Sequence, residues 1–137
     1  MASSYLLGRE RLRAVLVKLP VAAKANLQAT MTAEANSLAE LQRKYVPVKS
    51  GALRDSIRVE PFSKGGIGAI VKAGGPTTTK PVRKGQSATY DYAMAQELGT
   101  QEMLAQPFFF PAYRQSKTKI KRHASKAVRQ AVEDAQK

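Results

Sequence analysis

Apolar residues at Leu12, Leu16, Leu19, Ala23, Leu27, Met31, Ala35, Leu38, Leu41 and Tyr45 recur in steps of three or four. That spacing keeps one helical face apolar and predicts a long helical arm over residues 1–45. Pro20 interrupts it. Proline lacks the N–H a helix needs and disfavours helical geometry at the residue before it, so the break is expected at Leu19. A helix of this kind covers a sheet of its own domain or, being long for so small a chain, reaches a neighbouring subunit.

The period then changes. Val46-Pro47-Val48-Lys49-Ser50-Gly51 ends the helix with a proline and a glycine, and residues 46–105 read as a β-sheet region. Leu53, Ile57, Val59 and Pro61 fall on one side of an alternating segment, with Arg54, Ser56, Arg58 and Glu60 on the other and Asp55 out of pattern. Ser63-Lys64-Gly65-Gly66 supplies a turn, and Ile67, Ala69, Val71 and Ala73 alternate again until Gly74-Gly75-Pro76. The two segments predict an antiparallel hairpin. Residues 75–89 hold Lys80, Arg83 and Lys84 with Pro76 and Pro81 and have no apolar face, which predicts an extended mobile loop. Neither glycine pair continues into a P-loop or a dinucleotide fingerprint, so turn chemistry accounts for them.

Residues 106–137 run from Gln106-Pro107-Phe108-Phe109-Phe110-Pro111 into a segment with few helix breakers, predicting one C-terminal helix from Ala112. At about 100° per residue, Tyr113, Ile120, Ala124, Ala127, Ala131 and Ala135 share one stripe. Arg114, Lys119, Lys121, Arg122, Lys126 and Arg129 lie across the opposite side. An alanine stripe permits close approach but buries little area, so the helix depends on docking. Together these parts predict an α+β class, with a small antiparallel or mixed β-sheet between the helices, as a single domain over 1–137.

Charge changes the picture more than size does. The 137 residues hold 23 Lys and Arg against 10 Asp and Glu, a formal net charge of +13, which calls for a polyanionic neighbour: nucleic acid or an acidic protein surface. Cysteine is absent and His123 is the only histidine, which excludes disulfide scaffolds, thiol nucleophiles and multi-histidine zinc sites. No apolar run is long enough to cross a bilayer and Met1–Gly8 lack the pattern of a secretory leader, so a soluble, unexported chain is expected. A hydrolase or nuclease would have to be built from Asp55, Glu60, Asp91, Glu97 and His123, which show no metal-ligand spacing; no catalytic residue, metal or cofactor is expected.

Three stretches, in order, carry a resemblance: Pro47-Val48-Lys49-Ser50-Gly51-Ala52-Leu53-Arg54-Asp55-Ser56-Ile57, then Tyr92-Ala93-Met94-Ala95-Gln96-Glu97-Leu98-Gly99-Thr100, then Gln106-Pro107-Phe108-Phe109-Phe110-Pro111-Ala112. They resemble the small neck or tail-completion proteins of long-tailed double-stranded DNA phages, a group of tail components akin to minor tail protein Z. The chain departs from that pattern at Leu98, where the family often has an aromatic, and at Phe109-Phe110, where it often has Leu-Arg.

The resemblance implies a non-enzymatic virion protein, assembled as a hexameric or dodecameric ring at the head-tail joint. Its partners would be copies of itself and the adjoining head-closure or neck and tail-terminator or tail-tube proteins. Gly51, Leu53, Arg54, Tyr92, Glu97, Gly99, Pro107, Phe108, Phe109 and Phe110 are then its expected assembly residues. Gly51 and Gly99 would set chain corners. At least one of the three phenylalanines would pack on another subunit, and Glu97 and Asp91 could pair with a neighbour's Arg or Lys. The basic candidates Lys80, Arg83, Lys84, Arg114, Lys119, Arg122, Lys126 and Arg129 would face genomic DNA phosphate in the lumen or an acidic protein ring. A stand-alone, sequence-independent nucleic-acid binder explains the charge equally well, although no recognition motif accompanies it.

Overall fold

The chain, seen in a computed structural model, is described over residues 4–47, 51–62, 66–82, 84–85 and 87–136, of which residues 4–6 by backbone alone. The Val48-Lys49-Ser50 part of the first turn, the Ser63-Lys64-Gly65 turn and Arg83 lie outside the described residues.

The helical arm is two helices, α1 (Ser4–Val17) and α2 (Val21–Tyr45). The N–H groups of Lys18 and Leu19 reach back only three residues, to Val15 and Leu16, and Pro20 sits extended at ψ 154°. The break therefore falls where proline geometry puts it. The same rule ends α2: Val46 precedes Pro47 and is extended, so Tyr45 is the last helical residue.

After α2 comes a short helix, α3 (Gly51–Ser56), and not the beginning of a strand. Leu53 and Ile57 are four residues apart and both buried, which is helical spacing; alternation begins only at β1 (Arg58–Pro61). The out-of-pattern Asp55 falls on the exposed side of α3. β1 pairs antiparallel with β2 (Ala69–Lys72), Val59 opposite Val71, so the expected hairpin is present with a shorter first strand. Gln28 of α2 clamps the approach to β2: its amide donates to the Gly68 carbonyl and accepts from the Gly68 N–H, both at 2.9 Å.

The stretch expected as a mobile loop is folded at its base. A single 3₁₀ turn (Pro76–Thr78) leads into β3 (Thr79–Pro81), which pairs antiparallel with β4 (Thr89–Asp91), Lys80 opposite Tyr90. Thr78 is completely buried and its hydroxyl donates to Asp91 Oδ1 at 2.6 Å. This hairpin is held by polar anchoring and not by an apolar face, which is why hydrophobic patterning does not reveal it. Helix α4 (Tyr92–Leu98) follows at once, and α5 (Phe109–Ala135) closes the chain.

Helices α2 and α5 form the largest contact between elements and run antiparallel. Ala23 and Leu27 meet Ala131 near one end, Glu34 meets His123 in the middle, and Gln42 donates to the Phe109 carbonyl at the other. Alanine on α5 lets the backbones approach, while Leu19 and Leu27 supply the buried area, each burial stabilising by about 1.5–3 kcal/mol. A second cluster gathers Ala39, Val46, Leu53, Ile57, Ala93 and Phe108, joining α2, α3, α4 and the start of α5. The fold is thus α+β with two small antiparallel sheets set against two long helices.

Candidate assembly surface

The surface is organised by two carboxylates that pin helix N-termini. Asp91 caps α4: Oδ1 accepts from the Ala93 N–H at 2.9 Å and from Thr78, and Oδ2 accepts from the Gly75 N–H at 2.8 Å. Burial pushes the Asp91 pKa up, but the hydrogen bonds from Thr78, Ala93 and Gly75 together outweigh it and hold the group below the ordinary aspartate value. Gly74 allows this close approach, since a Cβ there would lie 2.3 Å from Asp91 Oδ2.

Glu97 does the same for α5 from across the α4–α5 connection. Its Oε2 accepts from the N–H groups of Phe108 and Phe109 at 2.8 and 2.9 Å, and Oε1 from that of Phe110 at 3.0 Å. Three donors that have no partner inside the helix thereby meet a negative charge at the positive end of the dipole. Asp91 and Glu97, which the resemblance would let pair with a neighbour's Arg or Lys, each hold a helix end within the chain.

Between those caps the connection is stitched by backbone bonds. The Gly99 N–H donates to the Ala95 carbonyl, Thr100 and Met103 exchange hydrogen bonds, and the Gln106 N–H donates to the Gln96 carbonyl. Gly99 is at φ +79°, with the Ala105 nitrogen 2.8 Å from where a Cβ would stand, so it makes a sharp corner as expected. Gly51 does not: it has no positive φ, opens α3, and a Cβ there would make only ordinary contact with Asp55. Leu53 is buried in the core, which removes it from any surface, whereas Arg54 is exposed with its Nε 3.7 Å from Asp55.

The three phenylalanines divide. Phe108 is 1% exposed in the core, Phe109 packs at its edge, and Phe110 is 53% exposed; successive rings meet edge to face at centroid distances of 6.2 and 5.4 Å. Phe109 and Phe110 form the wall between two apolar grooves. One, of about 240 Å³, lies under Met94, Leu98 and Phe108; the other, of about 430 Å³, lies between α2, β2 and α5 under Met31, Leu38, Val71 and Ile120. In the smaller groove Met94 is 67% and Leu98 68% exposed, and Leu104, in the α4–α5 connection, is 88% exposed. Tyr92 packs against the core and carries Lys80 Nζ 4.9 Å from its ring centre, and Pro107 is exposed. The exposure of Met94, Leu98 and Leu104 was not singled out in the sequence; the absence of any Lys or Arg from Gly85 to Tyr113 was the available signal.

The described basic candidates lie on two elements, most of them on α5 and Lys80 and Lys84 on the β3–β4 hairpin. Arg114, Lys117, Lys119, Lys121, Arg122, Lys126 and Arg129 are all exposed on α5, and none of them forms an ion pair among the described residues. Lys84 is exposed in the β3–β4 turn. Among the described residues no group of three His, Asp or Glu gathers as a metal site, and no helix is long and apolar enough to cross a membrane. Glu60 lies between Lys72 Nζ at 2.7 Å and Arg58 Nε at 2.9 Å; hydrogen bonds from Lys72, then Arg58, lower its pKa. His123 Nδ1 lies 2.5 Å from Glu34 Oε1, joining α5 to α2. Of the five residues weighed for a hydrolytic site, Asp55, Glu60 and His123 lie in separate ion pairs, while Asp91 and Glu97 both line the smaller groove.

A small basic α+β chain, with capped helix ends, apolar grooves and an unpaired cationic face, offers surfaces for macromolecules. Residues 10–99, about two thirds of the chain, match the family described as "Bacteriophage HK97-gp10, putative tail-component". The chain belongs to that phage tail-component family. Neither the curated proteins nor the solved structures searched gave a match.

Proposed function

We propose that this tail component is a non-enzymatic assembly protein that forms a ring at the head-tail joint and completes the neck between head and tail. Its partners are copies of itself and the adjoining head-closure or neck and tail-terminator or tail-tube proteins, and its place is the joint of the virion. The observation that carries the reading is the division of its surface. Exposed Met94, Leu98 and Phe110 line an apolar groove whose lining holds no Lys or Arg, while α5 presents seven exposed cations that form no ion pair among the described residues. A chain that must hold protein on one side and polyanion on another needs that division.

In this reading the α5 face meets genome phosphate in the lumen, without reading sequence, or the acidic rim of the next ring. Sequence-independent nucleic-acid binding by an isolated chain is the second reading, and the same face favours it. Light scattering on the purified chain, alone and mixed with neck and tail-tube proteins, separates the two. A defined oligomer or stoichiometric complex is expected; a monomer that joins neither mixture but binds DNA with steep salt dependence overturns the assembly reading.

A further inference from the structure

Helix α1 is a structural anomaly within a single copy. Every described side chain from Leu7 to Lys18 is exposed except the half-buried Leu16, which rests on the Leu19–Ala23–Leu27 cluster. A fourteen-residue helix is marginal in water without tertiary packing. At about 100° per residue, Gly8, Leu12, Val15 and Leu16 share one stripe, flanked by Arg9 and Arg11. A Cβ at Gly8 would meet nothing, so the stripe's outer end touches no other part of the chain.

The receptor for such an arm is on the same molecule, at a different place. From Gly85 to Tyr113 there are three acids, Asp91 and Glu97 at their helix ends and the exposed Glu102, and no Lys or Arg; Lys80 Nζ lies 4.9 Å from the Tyr92 ring centre. This region exposes Met94, Leu98 and Leu104 on backbone fixed by the Gly99, Thr100–Met103 and Gln106 hydrogen bonds. It is rigid, apolar and acidic, where α1 is apolar and basic.

We infer that α1 of one copy docks, as an amphipathic helix in a groove, against the Met94–Leu98–Leu104 surface of a second copy. The inference rests on the self-assembly proposed above and names its contact. Leu12 and Val15 enter the apolar surface while Arg9 and Arg11 lie toward the exposed Glu102, a pairing favoured by charge as well as by area. Arm and receptor are different patches, so the contact is heterologous and repeats head to tail, closing into a ring when the rotation per copy allows it.

The absence of cysteine makes the test clean. Full-length Leu12→Cys and Leu98→Cys variants are mixed and mildly oxidised, with Leu12→Cys plus Val82→Cys as control and Val15→Cys plus Met94→Cys as a second pair. Docking holds one thiol beside the other, so the mixed disulfide is expected at least about tenfold above the control and above either homodimer. Linking of both test pairs only at the control level overturns the inference. Light scattering of the wild-type chain, alone and with neck and tail-tube proteins, distinguishes the cause. If the chain assembles without these links, the arm assignment falls and the ring reading stands; if it assembles with nothing, both fall.

Discussion

Gly99 and Gly51 both stand in the stretches that carry the family resemblance, and the backbone treats them differently. At Gly99, φ of +79° and the Ala105 nitrogen 2.8 Å from a would-be Cβ make alanine doubly unfavourable. Gly99→Ala is expected to lose about 2 kcal/mol of stability in urea titration. Gly51→Ala should be neutral or stabilising by up to about 1 kcal/mol, because helical backbone is kept and the unfolded chain loses freedom. Equal losses at the two positions would refute the corner assigned to Gly99. Glu97→Ala removes the acceptor of three N–H groups and should cost about 1–2 kcal/mol, with Glu97→Gln costing less because an acceptor remains.

Asp91 adds a pH dependence whose sign follows from its lowered pKa. A carboxylate depressed by folding contributes stability that is complete above its unfolded value near 3.9 and is lost as pH falls through the lower folded value. Asp91→Asn should therefore weaken the protein at pH 7, and the gap from wild type should narrow below about pH 4. Denaturation curves at the two pH values check this. A gap that stays constant would mean that the charge of Asp91 contributes nothing.

At the scale of elements, the antiparallel packing of α2 on α5 depends on alanine being small where the helices come closest. Ala131 is buried against Ala23 and Leu27, and leucine would add three heavy atoms where the two helices meet. Ala131→Leu should cost about 1–3 kcal/mol by overpacking, and Leu27→Ala about 3 kcal/mol by leaving a cavity. Thermal unfolding of both variants tests whether the seam is tight. A stabilised Ala131→Leu would mean that it is not.

Much of this architecture was legible in the chain because local rules decide it. The steps of three and four pointed to α1 and α2, the scarcity of helix breakers to α5, Pro20 to the break, and alternation from Ile67 to β2. Residues 53–57 misled because Leu53 and Ile57 satisfy a strand's even spacing and a helix's i,i+4 spacing alike. Helix α4 had local marks, Asp91 as N-cap and Gly99 just past its end, but seven residues give a short periodic signal. The Glu97 cap reaches eleven to thirteen residues ahead to the start of α5, a distance at which sequence patterns carry no geometry. For that reason the sequence pattern did not reveal that Glu97 holds the start of α5.

On the scale of the whole molecule, the charge of +13 is concentrated where it can act. Seven cations with no carboxylate among them line the exposed side of α5, while the apolar region around Leu98 is free of Lys and Arg. Arg122→Glu with Lys126→Glu changes the net charge by four without touching the α2 seam. The double variant should keep wild-type thermal stability and lose DNA binding at low salt or joining to the acidic partner. Unchanged binding and joining would make that face irrelevant to assembly.

The central claim is that this chain acts as a joint in the particle, through contacts with its own copies and its neighbours. Cryo-electron microscopy of the assembled virion tests it most directly. The account predicts a closed ring of this fold between head and tail, α1 of each copy seated on the Met94–Leu98–Leu104 surface of the next and α5 turned to DNA or to an acidic ring. Finished particles and their assembly intermediates in which the chain is missing, or sits away from the head-tail joint, would contradict it.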